Sequence, residues 1–572
     1  MNMTDALGQT ALKLACSNGH NKVVKTLVKY KADINIADKS GFTALMAACI
    51  LGHDSIVNRL LQHHAHVDLK DEFAWTALHY ACLHGHETVV NSLLKYNPDV
   101  NTANRSGFTA LIAACILGYD RIVNCLLQHH ANVDIKDEGA WTALLYACSN
   151  GHQHVVKTLL KHNPDVNADE KNGNTALLLA CFKGQDTIVN DLLQHHAQTD
   201  KRNKYNEAPL WTACAGGHDN VVKALLKHNA AVDITSEDGT SALMAASSKG
   251  HANVIKILFE HKADVNITDK KGFTALMLVC CNGHHTIVTE LFKHNAQIGA
   301  KIKFESTELM VACSRGHENV VKVLLQHKVD VDVAARNGVT SLMIDCFKGY
   351  KEIVRDLLWH SAAKDRRNED GQTALMFASL KGYVNIVTDL LQHGAQIDVM
   401  DENGQTALIY ACSKNHKNVV EILLGNDADL NITDKNGQTA LMFACLKGSN
   451  STVDDFASEN VLVYAQSDEG GKDQNTAVKK DLEEMLLNSN AGVNIHNLKG
   501  CTSLMEASSS GGFIGTIRVL LNHKADVNIR GNAGETALSL AIMKGHLDIA
   551  ELLREYGAEE DSYSCSENDL SS

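Results

Sequence analysis

The sequence predicts an all-α solenoid of about sixteen helix-turn-helix repeats. Three observations carry this. A Thr-x-Leu frame returns at a step of 33 residues, without a slip, from Thr10 to Thr439; a fixed short period is the signature of a repeat array. A Gly stands nine residues after the Thr slot in 15 of 16 copies, with Asn415 as the exception. Between these markers apolar residues recur at helical spacing.

One copy defines the unit. Asp38-Lys39-Ser40-Gly41 reads as a turn, with Gly free to take positive φ. Thr43 caps a short first helix reaching about Leu51, and Gly52 ends it in the left-handed conformation. A second helix covers about Asp54 to His63, with Ile56, Val57, Leu60 and Leu61 on one face. Ala65-His66-Val67-Asp68 leads to the next turn. Such a unit cannot bury its apolar faces alone, so copies stack. Asn replaces Gly at 415 because Asn tolerates the left-handed region best after Gly.

This pattern resembles the ankyrin repeat: turn-Gly, Thr-x-Leu, small residues, Gly-His, Val-Val or Ile-Val, Leu-Leu, then Ala-Asp-Val-Asn, as at Lys262–Asn266. The resemblance covers about residues 5–558. The family's Thr-Pro-Leu-His is mostly Thr-Ala-Leu-Met here, with Pro in its slot only at Pro209. Ala is a good helix former, so the fold expectation is unchanged.

The expected organisation is repeats 1–14 over residues 1–448, an acidic flexible insertion at 449–478 interrupting repeat 14, the rest of the array over 479–558, and an acidic disordered tail at 559–572. Lys13 in repeat 1 and Ser539 in repeat 16 stand in the Met-rich slot of the first helix, and Arg554 replaces the second Leu of the Leu-Leu pair in the last repeat. These read as polar end caps of a complete array. Repeats 7 and 10 lack the turn Gly and read as weaker joints. Asp345 falls in a slot otherwise small and apolar, where a carboxylate is costly to bury.

Composition excludes several functions. Net charge is −14 over 572 residues, which argues against nucleic-acid binding. No run is long enough for a membrane span. Twelve of 16 Cys share one slot, as Cys16, Cys49 and Cys82 do. Neighbours in such a column lie at helix–helix spacing, too far apart for disulfides, so they read as packed thiols of a reducing compartment. The cytoplasm is expected, with the nucleus as the alternative.

The 30 His include a column after the Gly. Column residues spread along an array, whereas zinc needs ligands converging on one point. They are therefore assigned to hydrogen bonding at repeat joints. No metal, cofactor or catalytic set is expected. The Met column, Met46 and Met244 among it, is assigned to packing.

In ankyrin arrays partners meet the turn tips and the exposed end of the first helix, on the concave side. Carried over, the tip slot holds Phe42, Trp75, Phe108 and Trp141, and the helix-end slots hold Ile50, Leu51, Leu83, Ile116 and Leu117. A contiguous apolar patch of this kind marks an interaction site. Repeats 2 and 4 share one sequence type and repeats 3 and 5 another, so this surface repeats every 66 residues. Further along, the last helix slot turns basic, at Lys183, Lys249, Arg315, Lys348, Lys381, Lys414, Lys447 and Lys544. That row would attract an acidic segment, a partner's or the insertion acting as a cover in cis. The resemblance also makes Asn35, Asn101, Asn167, Asn266 and Asn431 candidates for asparaginyl hydroxylation.

The expected function is a non-catalytic, monomeric scaffold or adaptor for protein partners. The alternatives are a regulatory or targeting subunit of a ligase or phosphatase assembly, and a mechanical or membrane–cytoskeleton linker.

Overall fold

A computed structural model of the chain describes residues 2–300, 302, 305–446, 476–511 and 514–560. The expected insertion lies outside this set up to residue 475, as do Lys447 and residues 561–572 of the expected tail. The chain divides into two compact units, Met1–Lys270 and Lys271–Ser572.

Each unit is a stack of helix pairs. The first unit runs from the pair Ala11–Ser17 and Asn21–Lys29 to the pair Ala242–Lys249 and Ala252–Glu260. The second runs from Ala275–Asn282 and His285–Lys293 to Ala537–Met543 and Leu547–Glu555. Within each unit, first helices pack on first helices and second on second, giving two layers with the core between them. Among the described residues there are no strands, only isolated bridges at turns such as Ala103 with Thr109. The second helix of repeat 14 begins at Thr476, a few residues before the start expected near Lys479. It packs on the first helix of its own repeat and on the second helices either side.

The repeated residues do local jobs. Thr43 Oγ1 accepts the Met46 N–H at 3.2 Å, satisfying one of the donors a helix start leaves open. The Cys and Met columns are buried: Cys49 is 0% and Met46 1% exposed. None of the described cysteines is in a disulfide. Burial pushes the Cys16 thiol up to about 12, so it stays protonated and inert.

The Gly column has two reasons to exist. Gly118 has φ 76°, and Asn415 keeps the same geometry at φ 61°. A Cβ on Gly118 would also lie 2.5 Å from Nδ1 of His152 in the next repeat. That His donates from Nε2 to the Ile116 carbonyl at 2.9 Å, and His86 to Ile50 likewise. The His column thus joins repeats, as expected. Tyr119 takes the same place against Gly85.

A second ladder links the loops. Asn35 Oδ1 accepts the His66 N–H at 2.8 Å, Asn101 that of Asn132, and Asn167 that of Gln198. Asn431 accepts the Gly492 N–H at 2.9 Å, which carries the ladder past the insertion. These four Asn therefore have a structural role.

One expectation changes. Lys13 is only 7% exposed and ion-pairs with Asp38 of the next repeat, with Nζ 5.0 Å from the Phe42 ring centre. Its slot faces repeat 2, so it is not an outward cap. Repeats 7 and 10 keep the left-handed turn without Gly, through Asn206 and Glu305, each at φ 60°.

Candidate protein-interaction surface

The tip residues of repeats 2–5 are set by the turn before them. The Trp75 N–H donates to Asp71 Oδ1 at 2.8 Å, and the Trp141 N–H to Asp137 Oδ1 at 2.8 Å. Phe42 and Phe108 are held in the same way by Asp38 and Asn104. Short Asp and Asn side chains stabilise turns by this bond to their own backbone. The second oxygen of Asp71 accepts from Tyr80 Oη at 2.5 Å, and that of Asp137 from Tyr146 Oη at 2.6 Å. Burial and the neighbouring Asp71 carboxylate raise the Tyr80 pKa above its usual value, keeping the phenol protonated.

Those two tyrosines organise the surface. Phe42 meets Tyr80 edge-on at 5.3 Å, and Trp75 stacks on the same ring at 5.3 Å. Two repeats on, Phe108 and Trp141 flank Tyr146 at 5.8 and 4.9 Å. Such aromatic pairs add to plain area burial and fix ring positions. Behind Trp75 lies His79, 1% exposed, with Nε2 3.1 Å from the Phe108 carbonyl. Burial lowers its pKa, so it is neutral at physiological pH.

The predicted tip residues therefore come together in two like clusters, one turn pair apart in the 66-residue register. They are half-buried, more than their place at the tips implied, because Tyr80 and Tyr146 cover one side of each. Leu51 and Leu117 are 50% and 42% exposed, while Ile50, Leu83 and Ile116 are half-buried. Phe73, beside the repeat 3 tip, is 58% exposed. Sequence reasoning missed Phe73, Tyr80 and Tyr146. The signal was available: Tyr80 and Tyr146 sit 66 residues apart, matched by Ala47 and Ala113 in the alternate repeats.

Ala74 and Ala140, just before the two Trp, occupy the turn slot at φ 62° and 65°. An L-residue there carries strain that Gly does not. Ala74→Gly should stabilise the first unit by about 1 kcal/mol, read from the urea midpoint of unfolding. A destabilised variant would show that the Ala methyl contributes packing greater than the strain.

In the second unit Lys348 and Lys381 end their first helices and Lys414 caps its own. Lys381 is exposed and places Nζ 4.4 Å from the Phe347 ring centre. Among the described residues no group of three His, Cys, Asp or Glu could hold a metal ion. No described helix is long and apolar enough to cross a membrane.

Comparison with known families agrees with this architecture. The family described as Ankyrin repeats (3 copies) matches in overlapping segments covering residues 1–467 and 474–563. The chain belongs to the ankyrin-repeat family. Ankyrin repeats are generally protein-interaction modules and typically non-catalytic. The chain is also 38% identical over 69 residues to the Ankyrin repeat and KH domain-containing protein mask-1 of Caenorhabditis elegans. That alignment covers 12% of this ankyrin-repeat chain and 3% of the nematode protein.

Proposed function

We propose that the protein is a non-catalytic scaffold or adaptor that holds partner proteins through the turn tips and first-helix ends, with repeats 2–5 as one docking surface. The observation that supports this is a comparison of slots. Repeats 6 and 7 build the same turn with Asn174 and Glu207 at the tip, their N–H groups bound to Glu170 and Asn203. The frame does not need an aromatic residue there. Phe42, Trp75, Phe108 and Trp141 are thus in excess of what folding requires, and exposed or half-exposed aromatics are the usual anchors of binding energy. The buried, protonated thiols support placing this activity in a reducing compartment, the cytosol.

Affinity capture with the full chain tests the reading. Trp75→Ala with Trp141→Ala should cost at least one specific partner roughly tenfold or more in recovery, the usual weight of a lost aromatic anchor. Identical partner sets for the two proteins would favour a mechanical linker, which has no use for the aromatic clusters.

A further inference from the structure

The turn tips of repeats 2–5 carry a second alternation besides the aromatic one. The second turn residue is Lys39, Glu72, Arg105 and Glu138 in order, so its charge changes sign at every repeat. All four side chains are exposed, and among the described residues none has an ion-pair partner. Their backbones run in one line, because each turn is bonded to the one before it. The Glu72 N–H donates to the Ser40 carbonyl at 2.8 Å, that of Arg105 to Phe73 at 3.0 Å, and that of Glu138 to Ser106 at 3.0 Å. Lys70 and Lys136, on the incoming leg of the two Trp turns, do not cancel the pattern. Residues 70–75 and 136–141 each keep one net negative charge, and residues 103–108 one net positive charge. In residues 37–42 Asp38 is paired with Lys13, which leaves Lys39 in excess. The fold does not need this alternation. The same slot holds Glu369 and Glu402 in consecutive repeats, and Lys171 and Lys204 in repeats 6 and 7. In those two repeats the tips are Asn174 and Glu207, so both patterns lapse there.

The apolar part keeps the same register. One cluster, Phe42 and Trp75 about Tyr80, joins the tips that carry Lys39 and Glu72. The other, Phe108 and Trp141 about Tyr146, joins the tips that carry Arg105 and Glu138. Leu51 and Leu117, exposed at the helix ends, recur at the same step. Each pair of repeats thus offers an apolar cluster flanked by one cation and one anion.

We infer that repeats 2–5 take one extended segment of a partner protein, with two bulky apolar side chains about six residues apart and charges of alternating sign at about every third residue. This rests on the scaffold reading and adds the partner's chemistry. Stacked helices lie about 10 Å apart and an extended chain advances about 3.3 Å per residue, so one repeat spans about three residues of the segment. The apolar side chains meet the two clusters. Acids face Lys39 and Arg105, and bases face Glu72 and Glu138. Reversing the segment's direction is equivalent to exchanging its acids and bases, so the row reads the alternation itself. A chain with charges of one sign meets a like charge at every second tip, which disfavours nucleic acid, polyacidic and polybasic tails alike.

The test is fluorescence anisotropy on the full-length protein. The probe is a labelled peptide, Asp-Thr-Leu-Arg-Thr-Thr-Asp-Thr-Leu-Arg. Versions whose charged residues are all Asp or all Arg should bind about tenfold more weakly. A version with one Leu replaced by Ser should lose about tenfold as well. Glu72→Lys with Glu138→Lys makes every tip of the row positive. That variant should prefer the all-Asp peptide to the alternating one, and this gain shows that it is folded. Trp141→Ala should bring the one-Leu and two-Leu peptides to nearly equal affinity. Equal binding of the alternating, all-Asp and all-Arg peptides by the wild type would overturn the proposal. So would an unchanged order of preference in the Lys variant, or tighter binding of an oligothymidylate. Partner loss in the variant with Trp75→Ala and Trp141→Ala, with no preference among the peptides, would remove this charge register and leave the scaffold reading standing.

Discussion

Gly118→Ala should destabilise the first unit by about 2 to 3 kcal/mol. About 1 to 2 kcal/mol is the cost of an L-residue in the left-handed region, since Gly118 holds φ 76°. The remainder comes from the next repeat. The new Cβ would lie 2.5 Å from His152 Nδ1, so the ring must swing away. It then loses its bond to the Ile116 carbonyl, now 2.9 Å long, worth about 1 kcal/mol. Gly545 supplies the control. It has φ 79° in the same column, but nothing lies within 4 Å of its would-be Cβ. Gly545→Ala should show the backbone cost alone. Hydrogen exchange would place the Gly118 effect on both sides of the joint, in Ala110–Leu117 and Gln153–Leu160. Equal losses for the two variants would show that the His column adds nothing to repeat coupling.

That contrast also explains what could be read from the sequence. The Gly, Thr and Cys columns were legible because each answers the same backbone or packing demands in copy after copy. The aromatic tips were legible as exceptions to that frame. Tyr80 and Tyr146 carried a signal in their 66-residue spacing, but their role could not be read from it. Their role depends on the second oxygen of Asp71 and Asp137, a carboxylate whose first oxygen already holds the turn. Lys13 was misread for a related reason. Polarity near a terminus suggests a cap, and only the three-dimensional register shows that its slot points at Asp38. The Asn of the loops carried a family expectation of modification, while their bonds to the next repeat's backbone needed coordinates to be seen.

Asp345→Ala should stabilise the second unit at neutral pH by about 2 kcal/mol, the scale of burying a polar group without adequate bonds. Asp345 is 0% exposed, and neither carboxyl oxygen has a full hydrogen-bond partner. The Cys313 thiol of the preceding repeat lies alongside, but a thiol is a weak donor. Burial raises the Asp345 pKa well above the usual carboxylate range. The folded chain therefore keeps a proton that the unfolded chain releases. Its stability is undiminished below the unfolded pKa of about 4 and falls as pH rises toward the folded pKa. The Ala variant should lose this slope, so its advantage in urea midpoint should be larger at pH 8 than at pH 4. Equivalent repeats hold Ala48, Ala114 and Ala378 in this slot, so the substitution introduces no foreign geometry. A variant less stable than wild type at pH 8 would mean that the carboxylate has a stabilising partner.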